Sequence, residues 1–308
     1  MQKIGTLAII GAGPAGLSSA IYGARLGFEV KIFEKTMPGG LMLGSGKIEN
    51  YPGFYEGIDG QELAENMRKH AERYGCEIIY EEVKNIDVHG GKKIIKTDSK
   101  TYEANAIIIA TGMRHRKLGL PNEENLIGRG ISFCAVCDAP LYRDKKVVVV
   151  GCGSAGIKEG LYLAQYAREI KFVEILEDFT AEPILVDEIK KLDNVEFYFE
   201  HKVVELRGKD RLESVIIENI KTGEHKVFSV DGLFEYIGEI PNTDFIKGLI
   251  DLTEKGFIIT DGTLQTNVPG IFACGDVRDT KLRQVATAVG DGTLAAYSAY
   301  WYVKRLKD

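Results

Sequence analysis

Two cysteines separated by two residues are the part of this chain best suited to redox chemistry. Cys134 and Cys137 form a Cys-x-x-Cys pair, and Asp138 follows directly. Such a dithiol can open and close as a disulfide, and a neighbouring carboxyl group can move the proton that the exchange requires. A zinc site would need two further ligands. The pair therefore predicts a redox-active disulfide, with a metal half-site or two inert buried thiols as alternatives. Asp138 is a candidate proton donor, or else a helix cap or surface acid.

Two loops of the form Gly-x-Gly-x-x-Gly, one on each side of the cysteine pair, could hold nucleotides. They are Gly11–Gly16 and Gly151–Gly156, and each follows an apolar run. These glycines allow a tight turn and the approach of a pyrophosphate to the start of the next helix. An acidic residue lies 23 positions after each first glycine (34 − 11 and 174 − 151), at Glu34 and Glu174. An acid at about 20 residues is expected to bind ribose hydroxyls. Each loop predicts a dinucleotide site, with a plain β-α-β turn as the alternative.

The elements around the two loops repeat at an offset of 140 residues (151 − 11). The apolar patterns predict strand, helix and strand in each repeat, at Thr6–Ile10, Pro14–Leu26 and Glu29–Phe33, and at Lys146–Val150, Ser154–Ala167 and Ile170–Leu176. A long helix is expected near Gln284–Lys304. The predicted fold is α/β, with two Rossmann-like three-layer domains, the second inserted into the first. Residues 1–114 and 244–308 would form the domain with the first dinucleotide site, and residues 115–243 would form the inserted domain with the second site and the dithiol.

Composition excludes several partners and compartments. The 308 residues include 45 acidic and 39 basic side chains, for a formal net charge of −6. Nucleic acids and anionic membranes reward clustered lysine and arginine, so neither is expected as a partner. No run reaches the ~18 apolar residues of a membrane span. Five scattered cysteines and no export signal favour a reducing cytoplasm.

Taken in order, the motifs resemble those of the low-molecular-weight thioredoxin reductases over nearly the full length. The matching stretches are Gly11–Gly16, Gly39–Leu41, Glu49–Gly53, Ala110–Gly112, Gly128–Gly130, Cys134–Asp138, Gly238–Asn242, Gly275–Val277 and Arg283–Ala286. So many matches in the right order are far more specific than any one of them.

The resemblance implies FAD, with Glu34 on the adenosine ribose, Asn50 and Gln284 near the isoalloxazine, and Asp276 near the ribityl–phosphate part. The candidate FAD contacts are Gly11, Gly13, Pro14, Ala15, Gly16, Glu34, Lys35, Gly39, Gly40, Leu41, Asn50, Val83, Ala110, Thr111, Gly112, Gly275, Asp276, Arg283, Gln284 and Val285. The candidate nicotinamide-coenzyme contacts are Gly151, Gly153, Ser154, Ala155, Glu174 and Gly238. The resemblance also implies that Cys137 lies nearer the flavin, that Cys134 exchanges with the protein substrate, and that Asp138 donates the proton. It implies a homodimer and a thioredoxin or thioredoxin-like partner. No metal is expected.

The chain departs from the family pattern at the coenzyme motif. Members that use NADPH carry His-Arg-Arg after the last strand of the second repeat and another arginine slightly later. This chain has Glu174-Ile175-Leu176 there, followed by Thr180. A carboxylate would repel a 2′-phosphate, so NADH is predicted over NADPH. Leu41 and Ala139-Pro140 are smaller departures, with no predicted direction of effect.

The predicted function is that of an FAD-dependent thioredoxin-disulfide reductase. One alternative keeps the dithiol but takes electrons from ferredoxin or a deazaflavin; members of that kind tend to have eroded second glycine loops, and this loop is intact. Another alternative is a flavin electron transferase of ferredoxin–NAD(P) reductase type, against which the cysteine pair argues. A non-enzymatic redox sensor is a third.

Overall fold

The computed structural model describes residues 3–44, 47–48 and 50–307. The chain divides into two compact units, referred to as unit 1 (residues 1–114 and 240–308) and unit 2 (residues 115–239). The prediction of an α/β fold with two Rossmann-like domains is confirmed. The second crossing lies at 239/240, not at the expected 243/244. The reason is that the intervening residues bond within unit 1: the Thr243 hydroxyl donates to the Gly256 carbonyl at 2.8 Å, and the Asn242 amide donates to the Thr111 carbonyl at 2.9 Å.

Unit 1 is built on a five-stranded parallel sheet. Its elements, numbered along the whole chain, are β1 (Thr6–Ile10), α1 (Pro14–Arg25), β2 (Glu29–Phe33), β3 (Lys47–Ile48), β4 (Ile58–Asp59), α2 (Gly60–Arg73), β5 (Glu77–Ile79), β6 (Val83–His89), β7 (Lys92–Thr97), β8 (Thr101–Ala104), β9 (Ala106–Ile109), β10 (Met113–His115), β19 (Glu239–Pro241), β20 (Ile271–Ala273) and α7 (Val285–Arg305). The parallel sheet has the order β20-β9-β1-β2-β5, and β6, β7 and β8 form an antiparallel sheet. Strands β10 and β19 pair with each other where the chain passes between the units.

Helices α1 and α7 pack together on the parallel sheet of unit 1. Every residue of β9 is buried, as expected for a strand covered on both faces. The two helices approach so closely that a Cβ on Gly292 of α7 would lie 2.2 Å from the Ala15 carbonyl oxygen of α1. Only glycine fits there. This contact fixes α1, and with it the first glycine loop, against the C-terminal helix.

Unit 2 repeats the same plan. Its elements are α3 (Glu123–Leu126), β11 (Ile131–Ser132), α4 (Ala135–Asp138), β12 (Lys146–Val150), α5 (Ser154–Leu163), β13 (Glu169–Glu174), α6 (Pro183–Ile189), β14 (Val195–Phe199), β15 (His201–Arg207), β16 (Ser214–Asn219), β17 (His225–Ser229) and β18 (Gly232–Glu235). The parallel sheet has the order β11-β18-β12-β13-β14, and β15, β16 and β17 form an antiparallel sheet.

Helix α5 ends at Leu163, earlier than the expected Ala167. The side-chain amide of Asn194 donates to the carbonyls of Ala164 and Ala167, at 3.2 and 2.9 Å. These bonds satisfy two carbonyl groups of the turn that follows the helix at residues 164–167. A side chain 30 residues away along the sequence therefore stabilises the early stop.

Candidate active site and dinucleotide loops

The first glycine loop is shaped by contacts that exclude side chains at two positions. A Cβ on Gly11 (φ +100°) would lie 2.4 Å from the Ala110 carbonyl oxygen, and one on Gly16 would lie 1.9 Å from the Gly11 carbonyl oxygen. A Cβ on Gly13 would meet nothing within 4 Å. Gly13 also begins α1 without a side-chain cap. Open space next to the first turn of a helix is the arrangement that binds a pyrophosphate.

Glu34 is held at the mouth of this loop, directly after β2. Its Oε2 accepts the Ala12 backbone N–H at 2.9 Å. Its Oε1 accepts the backbone N–H and hydroxyl of Thr36, at 2.9 and 3.1 Å. Hydrogen bonds within the protein therefore orient both carboxylate oxygens, at the place where the fold expects an acid for ribose hydroxyls.

A cavity of about 560 Å³ opens beside the loop within unit 1. Five residues predicted from the sequence line it: Gly11, Glu34, Lys35, Val83 and Thr111. Nine others also line it and were missed: Ile10, Phe33, Glu81, Glu82, Lys84, Arg114, Asn242, Asp244 and Phe245. Two of them could have been found from their position in the sequence. Ile10 and Phe33 end strands β1 and β2, and ligands in such folds bind beyond the carboxyl ends of the strands.

Other predicted flavin residues converge on the same loop. The Gly39 N–H donates to the Ala12 carbonyl at 2.8 Å, and a Cβ on Gly40 would lie 3.3 Å from the Gly13 Cα. A Cβ on Gly275 would lie 2.8 Å from the Ala15 Cβ. Pro14 is the first residue of α1, Leu41 lies in the 3-10 turn Gly40–Gly44, Asp276 lies in the turn Gly275–Val277, and Ala110 and Gly112 flank Thr111 after β9.

Asn50 and Gln284 are brought together although 234 residues separate them. The Asn50 side-chain nitrogen donates to Gln284 Oε1 at 2.8 Å, and Gln284 caps α7, which starts at Val285. The Arg283 guanidinium lies 4.3 Å from the centre of the Phe257 ring. Glu49, which belongs to the same sequence motif as Asn50, lies outside the described residues. A flavin dinucleotide fits this set of features. They are the glycine loop, the oriented Glu34 carboxylate, the cavity, and the hydrogen-bonded Asn50 and Gln284 side chains.

The second glycine loop copies the first. A Cβ on Gly151 would lie 2.3 Å from the Tyr236 carbonyl oxygen, and one on Gly156 would lie 2.1 Å from the Gly151 carbonyl oxygen. Glu174 ends β13 and is only 8% exposed. Its Oε2 accepts the Cys152 N–H at 2.6 Å, as Glu34 accepts the Ala12 N–H in unit 1. The arrangement fits a second dinucleotide.

The surroundings of this second loop are acidic. Residues 174–182 contain four carboxylates and no lysine or arginine. Ser154, the first residue of α5, hydrogen-bonds Glu182 and lowers the pKa of that carboxyl. Thr180 lies beside the loop, with its Oγ1 3.4 Å from the position of a Cβ on Gly153. Ala155 is exposed in the first turn of α5, and the Gly238 carbonyl accepts the Arg116 N–H at 2.9 Å.

The cysteine pair is a disulfide at the start of α4. Cys134 and Cys137 are bonded, with Cα atoms 5.4 Å apart. Cys134 precedes the helix, and its Sγ accepts the Cys137 N–H at 3.1 Å. Cys134 is half-buried and Cys137 is exposed. The Asp138 N–H donates to the Cys134 carbonyl at 3.2 Å. Burial, and secondly the negative charge of Asp138, raise the pKa of Tyr142 to about 12.

Two side chains from elsewhere in unit 2 contact the loop between the cysteines. The Ala135 N–H donates to Glu159 Oε2 at 3.0 Å and to the Tyr236 hydroxyl at 2.9 Å. Neither residue belongs to a sequence motif, because Glu159 has the pattern of an ordinary helix residue and Tyr236 that of a strand end.

The remaining cysteines are buried and unpaired. Burial raises the pKa of Cys76 to about 11 and that of Cys274 to about 12, and it also raises the pKa of Cys152. Such thiols are poor nucleophiles. Across the described ranges, no three His, Cys, Asp or Glu side chains are placed to hold a metal ion. Of the helices in the described part of the chain, none has the length and apolar character to cross a membrane.

Comparison with known proteins gives full-length matches. The family model for pyridine nucleotide-disulphide oxidoreductases matches residues 5–292. A thioredoxin reductase of Listeria innocua is 42% identical over all of this chain and 96% of its own length. That of Bacillus subtilis is 39% identical over all of this chain and 97% of its own length. The crystal structure of Lactococcus lactis thioredoxin reductase superposes with a TM-score of 0.91 at 40% identity, covering 98% of this chain and 99% of that chain.

Proposed function

Because this chain belongs to the pyridine nucleotide-disulphide oxidoreductase family, we propose that it is a thioredoxin-disulfide reductase driven by NADH through FAD. One observation carries the proposal: the Cys134–Cys137 disulfide is built into the unit whose helix α5 begins at the second glycine loop. The net reaction converts NADH, a proton and oxidised thioredoxin into NAD⁺ and reduced thioredoxin. Unit 1 would hold FAD and unit 2 the nicotinamide coenzyme.

The side chains divide the work of this reaction. When bound, FAD would supply the two-electron chemistry that links a hydride donor to a disulfide. The N–H groups at the start of α1 would hold its pyrophosphate, and Glu34 its ribose. Reduction breaks the Cys134–Cys137 bond with two electrons and two protons, and Asp138, which follows Cys137 directly, would hold one of these protons. One thiolate then attacks the thioredoxin disulfide, and the other cysteine releases reduced thioredoxin from the mixed disulfide.

Exposure favours Cys137 as the sulfur that meets thioredoxin, because it is exposed and Cys134 is half-buried. This assignment is the reverse of the one that the family resemblance implies. The test mixes each single cysteine-to-serine variant with a thioredoxin that lacks its resolving cysteine and whose remaining cysteine is activated as a thionitrobenzoate disulfide, so that attack by the enzyme thiolate forms the mixed disulfide and releases thionitrobenzoate. A stable mixed disulfide should form with Cys134→Ser, which keeps Cys137. Formation only with Cys137→Ser would restore the other assignment.

The preference for NADH rests on charge near the second loop. In a bound dinucleotide Glu174 would face the ribose that carries the 2′-phosphate of NADPH, and Glu182 adds a second carboxylate at the start of α5. Steady-state kinetics with thioredoxin should give a higher kcat/KM for NADH than for NADPH. A higher value for NADPH would overturn the preference. If neither nucleotide bleaches the flavin absorbance under anaerobic conditions while reduced ferredoxin does, the alternative donor is correct.

The apolar face of α7 supports a homodimer. Leu294, Tyr297 and Trp301 lie at spacings of three and four residues and are 40%, 49% and 39% exposed. Light scattering should give twice the chain mass of 34.0 kDa, and Trp301→Glu should lower it toward one chain. A wild-type mass of one chain would refute the dimer. We place the activity in the cytoplasm, where the reducing pool keeps thiols such as Cys76 unpaired.

A further inference from the structure

The loop between the two cysteines is held by two side chains to which the proposed electron transfer gives no role. Glu159 lies on α5 and Tyr236 directly after β18. The Ala135 N–H donates to both Glu159 Oε2 and the Tyr236 hydroxyl, and this hydroxyl donates to the same Oε2 at 3.3 Å. The three groups form a closed triangle, so the carboxylate is fixed beside the residue that follows Cys134.

The carboxylate of Glu159 also accepts the backbone N–H groups of the two residues that follow Cys134. Burial raises its pKa, while hydrogen bonds from the backbone N–H groups of Ala135 and Val136 and from Tyr236 lower it. The N–H of Cys137 bonds to Cys134 Sγ at 3.1 Å. Of the three N–H groups that follow Cys134, two therefore face a carboxylate and one faces the sulfur.

This arrangement bears on the stability of the reduced pair. A thiolate is stabilised by N–H donors and nearby cations, and it is destabilised by a nearby anion or by loss of donors. A dithiol whose reduced form is stabilised becomes an oxidant, and one whose reduced form is destabilised becomes a stronger reductant. A reductase that must pass electrons on to thioredoxin, at about −270 mV, requires the second condition.

We propose that Glu159, oriented by Tyr236, is a positioning residue that makes the Cys134–Cys137 pair a stronger reductant. It acts by occupying the backbone donors of Ala135 and Val136 and by placing a negative charge on the backbone next to Cys134. The inference rests on the proposed redox role of the two cysteines. It names the residues that set how strongly the reduced pair donates electrons.

The test is the equilibrium of the holoenzyme with glutathione. The exchange is balanced: the dithiol and oxidised glutathione give the disulfide and two reduced glutathione molecules. Acid quenching, alkylation and mass spectrometry of the peptide that contains both cysteines give the reduced fraction in each redox buffer. We expect Glu159→Gln to shift the equilibrium about tenfold toward the reduced pair, which corresponds to about 30 mV. Glu159→Met, of similar length and uncharged, is the second variant should the glutamine protein fail to fold.

Two control variants separate charge from loop geometry. Glu188→Gln removes the same charge from an exposed position on α6 and should change the equilibrium less than twofold. Tyr236→Phe keeps the carboxylate and should shift the equilibrium less than Glu159→Gln does.

Three results would overturn the inference: an unchanged equilibrium in Glu159→Gln, an equal shift in Glu188→Gln, or a shift in Tyr236→Phe as large as that in Glu159→Gln. A pair that never exchanges with glutathione in any variant would instead refute the proposed function itself.

Discussion

Replacing Glu235 by glutamine should stabilise unit 2 at alkaline pH. Glu235 ends β18, is 1% exposed, and neither carboxyl oxygen makes a hydrogen bond of good geometry to the described residues. Its neighbour Glu123 is also buried, but that carboxylate accepts the N–H groups of Leu118, Gly119 and Leu120. Burial first, and the Glu123 charge second, raise the pKa of Glu235 to about 8. Glu235 therefore keeps its proton at neutral pH.

The sign and size of the effect follow from this raised pKa. The ordinary value is 4.5, so between pH 4.5 and about 8 the folded protein holds a proton that the unfolded chain has released. The stabilisation from this group is fully present below pH 4.5, falls as the pH rises, and is lost above about 8. The rise in pKa from 4.5 to about 8 corresponds to about 5 kcal/mol in the free energy of unfolding, which the wild type loses between these two pH values. Glutamine does not ionise but leaves a buried amide, which costs roughly 1–3 kcal/mol. The net gain at pH 8.5 should be about 2–4 kcal/mol, whereas at pH 5 the cost of the buried amide should outweigh the gain.

The assay must report on unit 2 alone, because a protein of two units need not unfold in one step. Wild type and Glu235→Gln are equilibrated in urea at pH 5, 7 and 8.5, then given the same hydrogen-exchange pulse at one pH. Mass spectrometry of peptides from β12, β13 and β18 gives the unfolded fraction of unit 2. Glu124→Gln is the matched control, because Glu124 lies beside Glu123 on α3 but has a 75% exposed side chain. It should change the free energy of unfolding by less than about 0.5 kcal/mol.

A variant whose advantage over wild type is the same at pH 5 and pH 8.5 would refute the reasoning. That result would mean that Glu235 ionises normally in the folded protein.

Three shorter predictions concern the proposed reaction. Cys137→Ser should lower thioredoxin reduction at least a thousandfold, while anaerobic NADH still bleaches the flavin; retained turnover would contradict the dithiol route. Leu176→Arg with Thr180→Arg should raise kcat/KM for NADPH about tenfold, because both positions lie near the second loop and lack a cation; an unchanged ratio of NADPH to NADH efficiency would argue against charge as the determinant. Glu34→Gln should weaken FAD retention about tenfold in equilibrium dialysis, since an amide cannot accept from both its backbone partners and ribose hydroxyls as a carboxylate does; unaltered affinity would remove Glu34 from the site.

Features fixed by short stretches of sequence were predictable. The loops Gly11–Gly16 and Gly151–Gly156 adopt similar conformations because their geometry depends on glycines a few residues apart. The offset of Glu34 and Glu174 follows from one helix and one strand of similar length. The resemblance to thioredoxin reductases, read from many such motifs, is confirmed by relatives near 40% identity over the full chain.

Features that depend on contacts between distant parts of the chain could not be predicted from sequence motifs or hydrophobic periodicity. Phe245 lines the cavity beside β1 although no local motif marks it. Glu159 and Tyr236 hydrogen-bond the Ala135 N–H only because α5 and the end of β18 lie next to α4 in the folded unit. The bond between Asn50 and Gln284 spans 234 residues, and only the family resemblance placed the two together. The chemistry of such residues depends on tertiary contacts that composition and periodicity do not encode.

The pairing of α1 with α7 has a consequence for how the polypeptide is made. Residues 1–114 leave the ribosome without β20 and α7, so the face of α1 that receives Gly292 is still uncovered. Residues 115–239 form a complete unit and can fold as soon as they emerge. Helix α7 must then find a partner made more than 200 residues earlier. Truncation before α7 would therefore leave a folded insert attached to an open, aggregation-prone half.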